Sequence, residues 1–442
     1  MACQFSSIGQ VAGGDLSIVL DDDPTGTQAV RDVPVLLDRC DEAQLAAAAG
    51  KGRPAVHVMT NTRALPAREA EEVTEEATRA ARRVLPHARL VLRGDSTLRG
   101  HLLPEYRAVR RAAFSDRPPV LLLVPALPAA GRITHDGVHW LVVDSRRHPL
   151  HQTEYAQDSD FAYRSARLLD WAAERSGGYF DPAAGRELFL ERLRDGGPDA
   201  VAEMLLAAAD GGAPAVCAPD AESLDDLVII AAGLRAAEAA GAPVLARAAP
   251  AFAAVLAGTL ADGLVPTPVA DQRGVLVVCG SYVSGTTRQL ADLRRRLGIA
   301  PLEVDARSLA SGQPATEISR VASEAGRQLA ERGVAVVATP RARSPGTTSL
   351  AAGTRIARGL AAVVAALDAL PAVVVAKGGI TSHVVARDGL GVVEAWAVGP
   401  VTPGVALWNV LARGLEVAYL TFPGNVGGEA DLTDLVARVR GG

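Results

Sequence analysis

The chain has 442 residues, 49% of them hydrophobic, 21% charged and 4% aromatic, with a formal net charge of −5. That length calls for two domains rather than one core, and that composition excludes disorder. A mildly acidic chain has no basic footprint for nucleic acid, and the most apolar late window, "LAAVVAALDALPAVVVA", is interrupted by Asp368 and Pro371, so no membrane span is expected.

In chain order, the short β-rich runs "SIVL", "VPVLL", "AVHVMT", "RLVLR" and "VLLLVPAL" alternate with longer stretches of helical spacing such as "PAREAEEVTEEATRAARRVL". The runs lack polar alternation, the mark of strands covered on both faces, so the pattern predicts an α/β fold with mostly parallel sheets flanked by helices. Residues 145–212 break this rhythm and read as an insertion or lid over the first domain. Alternation resumes at "AVCAPD", and a second, self-sufficient series runs from "GVLVVCGS" through "LEVD", "VAVVAT", "AVVVAKGG" and "VVEAWAVG". Between the two, residues 258–273 carry Gly and Pro without a strong period, which divides the chain into domains 1–262 and 263–442 with a cleft between them. Cys3, Cys40, Cys217 and Cys279 are too widely spaced for a zinc site or a disulfide framework, and no leader-like stretch opens the chain, so a reducing, cytoplasmic setting is expected.

Ligands of open α/β sheets gather beyond the carboxyl ends of the strands, so polar clusters behind apolar runs are the candidates for chemistry. In "DDDPTGT", Asp22 and Asp23 follow a strand and Gly26 offers a backbone conformation closed to most residues, although one aspartate could simply cap the next helix. "LRGDSTLRGH" supplies Arg93 and Arg99 as planar donor forks for a carboxylate or phosphate, Asp95 as an acceptor from hydroxyls, and Ser96 and His101 as adaptable partners. Its bland alternative is a salt-bridged loop. Arg132, in "VPALPAAGRITHDGVHW", follows a third strand.

In the second half, "VVCGSYVSGTTRQL" places Ser281 and Ser284 at a small-residue loop opening a helix, where free N–H groups suit phosphate oxygens or where a serine merely caps the helix. It matches neither a Walker A loop nor a G-x-G-x-x-G turn. "AKGGITSH" offers Gly378, Gly379, Ile380 and Thr381 for close backbone approach and Lys377, one of only two lysines in the chain, as a point charge. "TFPGNVGG" adds Gly424 and Asn425 in a tight turn. Glycine-rich loops in one half fit a nucleotide, and acidic and Arg-rich loops in the other fit a polar, anionic substrate. Together they suggest a two-domain transferase.

Taken in order, "DDDPTGT", "RGDSTLRGH", "GRITHDGVH", "CGSYVSGTT", "KGGITS" and "PGNVG" resemble the four-carbon acid sugar kinase family from about Ile18 to Gly428. The resemblance implies an N-terminal domain that binds a small-molecule sugar acid and a C-terminal domain that binds ATP with Mg²⁺, phosphorylating a threonate, erythronate or 3-oxo-tetronate. It places the substrate on Asp22, Asp23, Gly26, Asp95, Ser96, Arg99 and Arg132, and the nucleotide on Ser281, Gly378, Gly379, Ile380, Thr381 and Gly424. Phe422 and Pro423 stand where many members carry a lysine before the Gly-Asn turn, and Ile380 where many carry Glu.

On this reading Asp22, favoured over Asp23, takes the proton of the attacking hydroxyl, Arg99 or Arg132 clamps the substrate carboxylate, and Lys377 assists the phosphates. No dedicated protein metal site is expected, and homodimerisation stays open. The rivals are a metal-dependent aldolase or isomerase of sugar acids, which the missing His-pair spacing disfavours, and a non-catalytic sensor of sugar acid and nucleotide.

Overall fold

A computed structural model describes residues 16–37, 41–114, 116–310, 314–342 and 350–441. The Val- and Leu-rich runs form strands buried on both faces, and the helices between them cover those faces with one apolar side each. Helix Ala67–Val84, for example, buries Ala70, Thr74, Ala77 and Ala81 and turns its arginines and glutamates outward. Cys3 and Cys40 fall outside the described residues, whereas Cys217 and Cys279 are buried free thiols.

Among the described residues fifteen strands form one continuous sheet rather than two separate ones, and Arg132–His135, Val138–Val143 and Arg146–Pro149 form a small antiparallel sheet beside it. The large sheet's C-terminal flank runs Leu302–Glu303, Val334–Ala338, Val275–Cys279, Val373–Lys377 and Leu415–Phe422, all parallel. Its N-terminal flank runs Val33–Leu36, Ala55–Met59, Ser17–Asp21, Arg89–Arg93, Val244–Ala248, Val120–Val124, Val216–Pro219 and Arg186–Leu188, again parallel. Two long strands, Val405–Ala412 and Glu394–Thr402, join the flanks through antiparallel pairings, the second of them to Val33–Leu36.

Those junctions make the flanks antiparallel to each other, so in a flat sheet their carboxyl ends would point to opposite edges. Six strand-to-strand steps separate Ser17–Asp21 from Val373–Lys377, and a twist of about 20–25° per step turns one flank by roughly 120–150° relative to the other. The carboxyl ends of both flanks therefore meet at a common cleft.

The 145–212 segment is no appendage. Arg186–Leu188 is the edge strand of the sheet, and Leu190–Asp210 buries Leu193, Val201, Met204 and Leu205 in the same core as Cys217 and Leu227. Trp171 and Phe180 are likewise core residues. Only residues 154–161 face the cleft. No helix among the described residues is long and apolar enough to cross a membrane.

Candidate active site

Ser17–Asp21 lies between Ala55–Met59 and Arg89–Arg93, with Asp21 level with both Met59 and Arg93. The three loops that follow these strands are consequently neighbours. Arg93 is 2% exposed and is the hub beneath them. Its guanidinium binds the Asp21 carboxylate and the Asp23 carbonyl, and Nη1 lies 2.8 Å from Asp22 Oδ1. Its fork is fully engaged inside the protein, and Arg93, expected from the sequence on the substrate side, does not line the cleft. Gly26 is also structural: a Cβ there would fall on Asp21 and Arg93, and its φ is not positive. Close approach, not a left-handed backbone, is what requires glycine.

The three aspartates have three environments. Burial would raise Asp21, but Arg93 and a 2.6 Å contact with His57 Nδ1 hold it below the ordinary range. Asp22 is 1% exposed and faces the Arg93 guanidinium as an ion pair without a well-aligned hydrogen bond to either oxygen; burial outweighs Arg63 and Arg93 and pushes it up to about 6. Asp23 faces the cleft, and Arg63 and Arg93 overcome its burial and keep it ionised. It caps the short helix Pro24–Ala29, accepting from Thr25 N at 2.7 Å.

Arg63 reaches the cleft from the loop after Ala55–Met59. It pairs with Asp23, and its Nη1 stands 3.4 Å from Asp95 Oδ1. Asp95 also accepts from Arg99 Nε at 2.7 Å; burial would raise its carboxyl, but Arg99 and Arg63 hold it well below the usual range. Arg99 extends toward Asp158, 3.7 Å away, across the ring of Tyr155.

On the opposite wall, Gly378 has φ +111°, which an L side chain rarely adopts. A Cβ on Gly280 would strike Thr381 Oγ1, and one on Gly424 would lie 2.5 Å from Ser281 Oγ, so the three glycine loops are packed on one another. Most consequential is Gly379, where a Cβ would fall on the Asp23 carboxylate. An acidic loop of one half and a glycine loop of the other are in contact across the cleft.

The cleft has a volume of about 430 Å³. It gathers Asp23, Asp95, Arg99, Ser281, Gly378, Gly379, Ile380, Thr381, Gly424 and Asn425 from the sequence-derived set. Asp22, Gly26, Arg93, Ser96, His101, Arg132, Ser284 and Lys377 do not line it. The Ser96 carbonyl accepts from His139, and His101 donates to the Leu65 carbonyl. Arg132 is buried behind Tyr155, its Nε without a hydrogen-bond partner. Ser284 is exposed. Lys377 is wholly buried, its Nζ donating to the Pro423 carbonyl at 3.0 Å and lying 3.7 Å from the centre of the Phe422 ring; desolvation lowers it to about 8.

Models of a sugar-binding N-terminal domain and a nucleotide-binding C-terminal domain match residues 17–256 and 276–432. The chain belongs to the four-carbon acid sugar kinase family. D-threonate kinase of Salmonella typhimurium is 29% identical over 332 residues, 73% of this chain and 71% of that protein. Haemophilus influenzae protein HI1011 has the same fold, with a TM-score of 0.61 and 17% identity over 96% of this chain and all of its own. So does a Salmonella typhimurium LT2 protein provisionally described as a tRNA synthase, with a TM-score of 0.68 and 18% identity over 95% and 98%. A sugar-acid kinase therefore has its two halves where the cleft has its two walls.

Arg63 is a cleft residue that belongs to none of the sequence motifs. Its one signal is position: "TNTR" directly follows the apolar run "AVHVM", but contains no glycine or acid to draw notice. Tyr155 and Asp158, from the irregular segment, were equally silent. Among the described residues no three His, Cys, Asp or Glu side chains cluster as a metal cage. Mg²⁺ borne on nucleotide phosphates asks for only one or two protein carboxylates, and Asp23 and Asp95, each paired with an arginine, are carboxylates that line the cleft.

Proposed function

We propose that the protein transfers the γ-phosphoryl group of ATP to a hydroxyl of a four-carbon sugar acid such as threonate, erythronate or a 3-oxo-tetronate. The observation that carries this reading is the contact of Asp23 with Gly379, which sets an ionised carboxylate of the sugar-binding half against a glycine loop of the nucleotide-binding half. The division of labour follows the split at 262/263, with the sugar acid on the first side and the nucleotide on the second.

The sugar acid lies against Asp95 and Arg99, with its carboxylate on the Arg99 guanidinium and its hydroxyls donating to the carboxylates. The packed glycine loops let nucleotide phosphates approach the backbone N–H groups closely. Mg²⁺, when bound, neutralises phosphate charge and orients the γ-group. Asp23, rather than the buried Asp22, receives the proton of the attacking hydroxyl. A carboxylate with a depressed pKa suffices because the transition state is loose and the proton moves late, once the attacking oxygen has become acidic.

ADP release from ATP and Mg²⁺, measured over a panel of four-carbon acids and their 3-oxo forms, tests the proposal. At least one acid should raise turnover far above the rate without acceptor. Consumption of an acid without ATP would instead support the metal-dependent aldolase or isomerase, and tight binding of an acid with no ADP would support a sensor.

A further inference from the structure

A nucleoside triphosphate brings several negative charges to the cleft, yet the wall contributed by residues 280–425 presents only glycines, hydroxyls, an amide and apolar side chains among the described residues. Lys377 lies beneath that wall with its ammonium on the Pro423 carbonyl. Arg341 stands nearby, but its guanidinium donates to the Ser281 carbonyl at 2.8 Å and to the Thr339 carbonyl at 2.6 Å. Among the described residues, the cations that line the cleft, Arg63 and Arg99, both come from the other half.

Of these two, Arg63 is tied to the point of contact between the halves. It pairs with Asp23, the carboxylate that abuts Gly379, whereas Arg99 is drawn away toward Asp158. Its loop is anchored from below: Asn61 N and Arg63 N donate to the carbonyls of Asp21 and Asp22, and Thr62 Oγ1 binds Glu105. The side chain is 15% exposed, so its charge acts where water screens it little.

On the kinase reading above, we propose that Arg63 is a catalytic residue whose guanidinium neutralises the charge spread over the equatorial oxygens of the phosphoryl group in flight. The acceptor oxygen bonds to the γ-phosphorus as the bond to the ADP oxygen breaks. The hydroxyl proton passes to Asp23, and Arg63 stays charged throughout. Because the cation comes from the sugar-binding half, bound nucleotide meets it only when the two halves are apposed.

Steady-state kinetics of Arg63→Ala and Arg63→Lys, with ATP·Mg²⁺ affinity and thermal melting measured in parallel, test this. Arg63→Ala should lower kcat by about 10³-fold, with ATP affinity within about threefold, and added guanidinium ion should restore part of the rate. Arg63→Lys should fall between, since an ammonium keeps the charge but not the planar fork. A raised KM for the sugar acid with kcat intact would overturn the assignment and leave Arg63 a substrate clamp. If Arg63→Ala does not fold, wild-type kcat in Arg63→Lys overturns it equally. A wild-type protein silent with every four-carbon acid overturns the kinase reading and this assignment together, whereas the variant results overturn the assignment alone.

Discussion

Gly379→Ala places one methyl group where the halves meet, because the new Cβ would fall on the Asp23 carboxylate. That carboxylate cannot swing aside cheaply: Arg63 and both donors of Thr25 hold it. Overpacking of this kind costs about 1–3 kcal/mol, or roughly 5- to 150-fold in an equilibrium. The two groups belong to different halves, so the methyl is relieved by separating the walls of the cleft rather than by unfolding either core. Gly379→Ala should therefore lower kcat/KM for the sugar acid by about 5- to 150-fold, with a melting temperature close to wild type. Coupled ADP release and differential scanning calorimetry give the two readouts. A kcat/KM within twofold of wild type would refute the contact, and a melting temperature lowered by many degrees would place the cost in folding instead.

Asp23→Asn should reduce kcat by about 10²–10⁴-fold with ATP affinity nearly unchanged, and a larger loss in Asp22→Asn than in Asp23→Asn would reverse the assignment of the base. Asp22 also governs acid stability: with its carboxyl raised to about 6 from an ordinary 3.8, the folded state holds a proton the unfolded chain gives up between those values. Its contribution is full below about pH 4 and is lost as pH rises through 6, roughly 3 kcal/mol in all. Asp22→Asn should thus change the slope of melting temperature against pH between 4 and 6, and an unchanged slope would show that this carboxyl does not titrate there. Asp23 and Asp95, both held low, act oppositely and are protonated only at lower pH. Arg93→Met strands the buried carboxylates of Asp21 and Asp22 and should destabilise the protein by about 3–5 kcal/mol, read by urea unfolding; a loss below 1 kcal/mol would show that the hub is dispensable.

Much of the molecule is written locally. The apolar runs without polar alternation mark buried parallel strands, and the polar clusters behind them mark the cleft, since both depend on short-range periodicity and turn chemistry. Asp23, Asp95, Arg99, Ser281 and the glycine loops at 378–379 and 424 were legible for that reason. What tertiary structure alone decided is where each polar side chain ends up. Three successive aspartates look equivalent along the chain, yet Arg93, 72 residues from Asp21, pulls one into the core, holds the next as a buried ion pair without a well-aligned hydrogen bond, and leaves the third for the cleft. Lys377 has the sequence of a phosphate ligand, but Phe422, its parallel neighbour in the sheet, and Pro423 just beyond the strand close over it. Arg63 carried no local mark, because its partners Asp23 and Asp95 come from two other strands' loops. The meeting of the walls follows from twist accumulated across strands from both ends of the chain, a property of the assembled sheet that no short stretch contains.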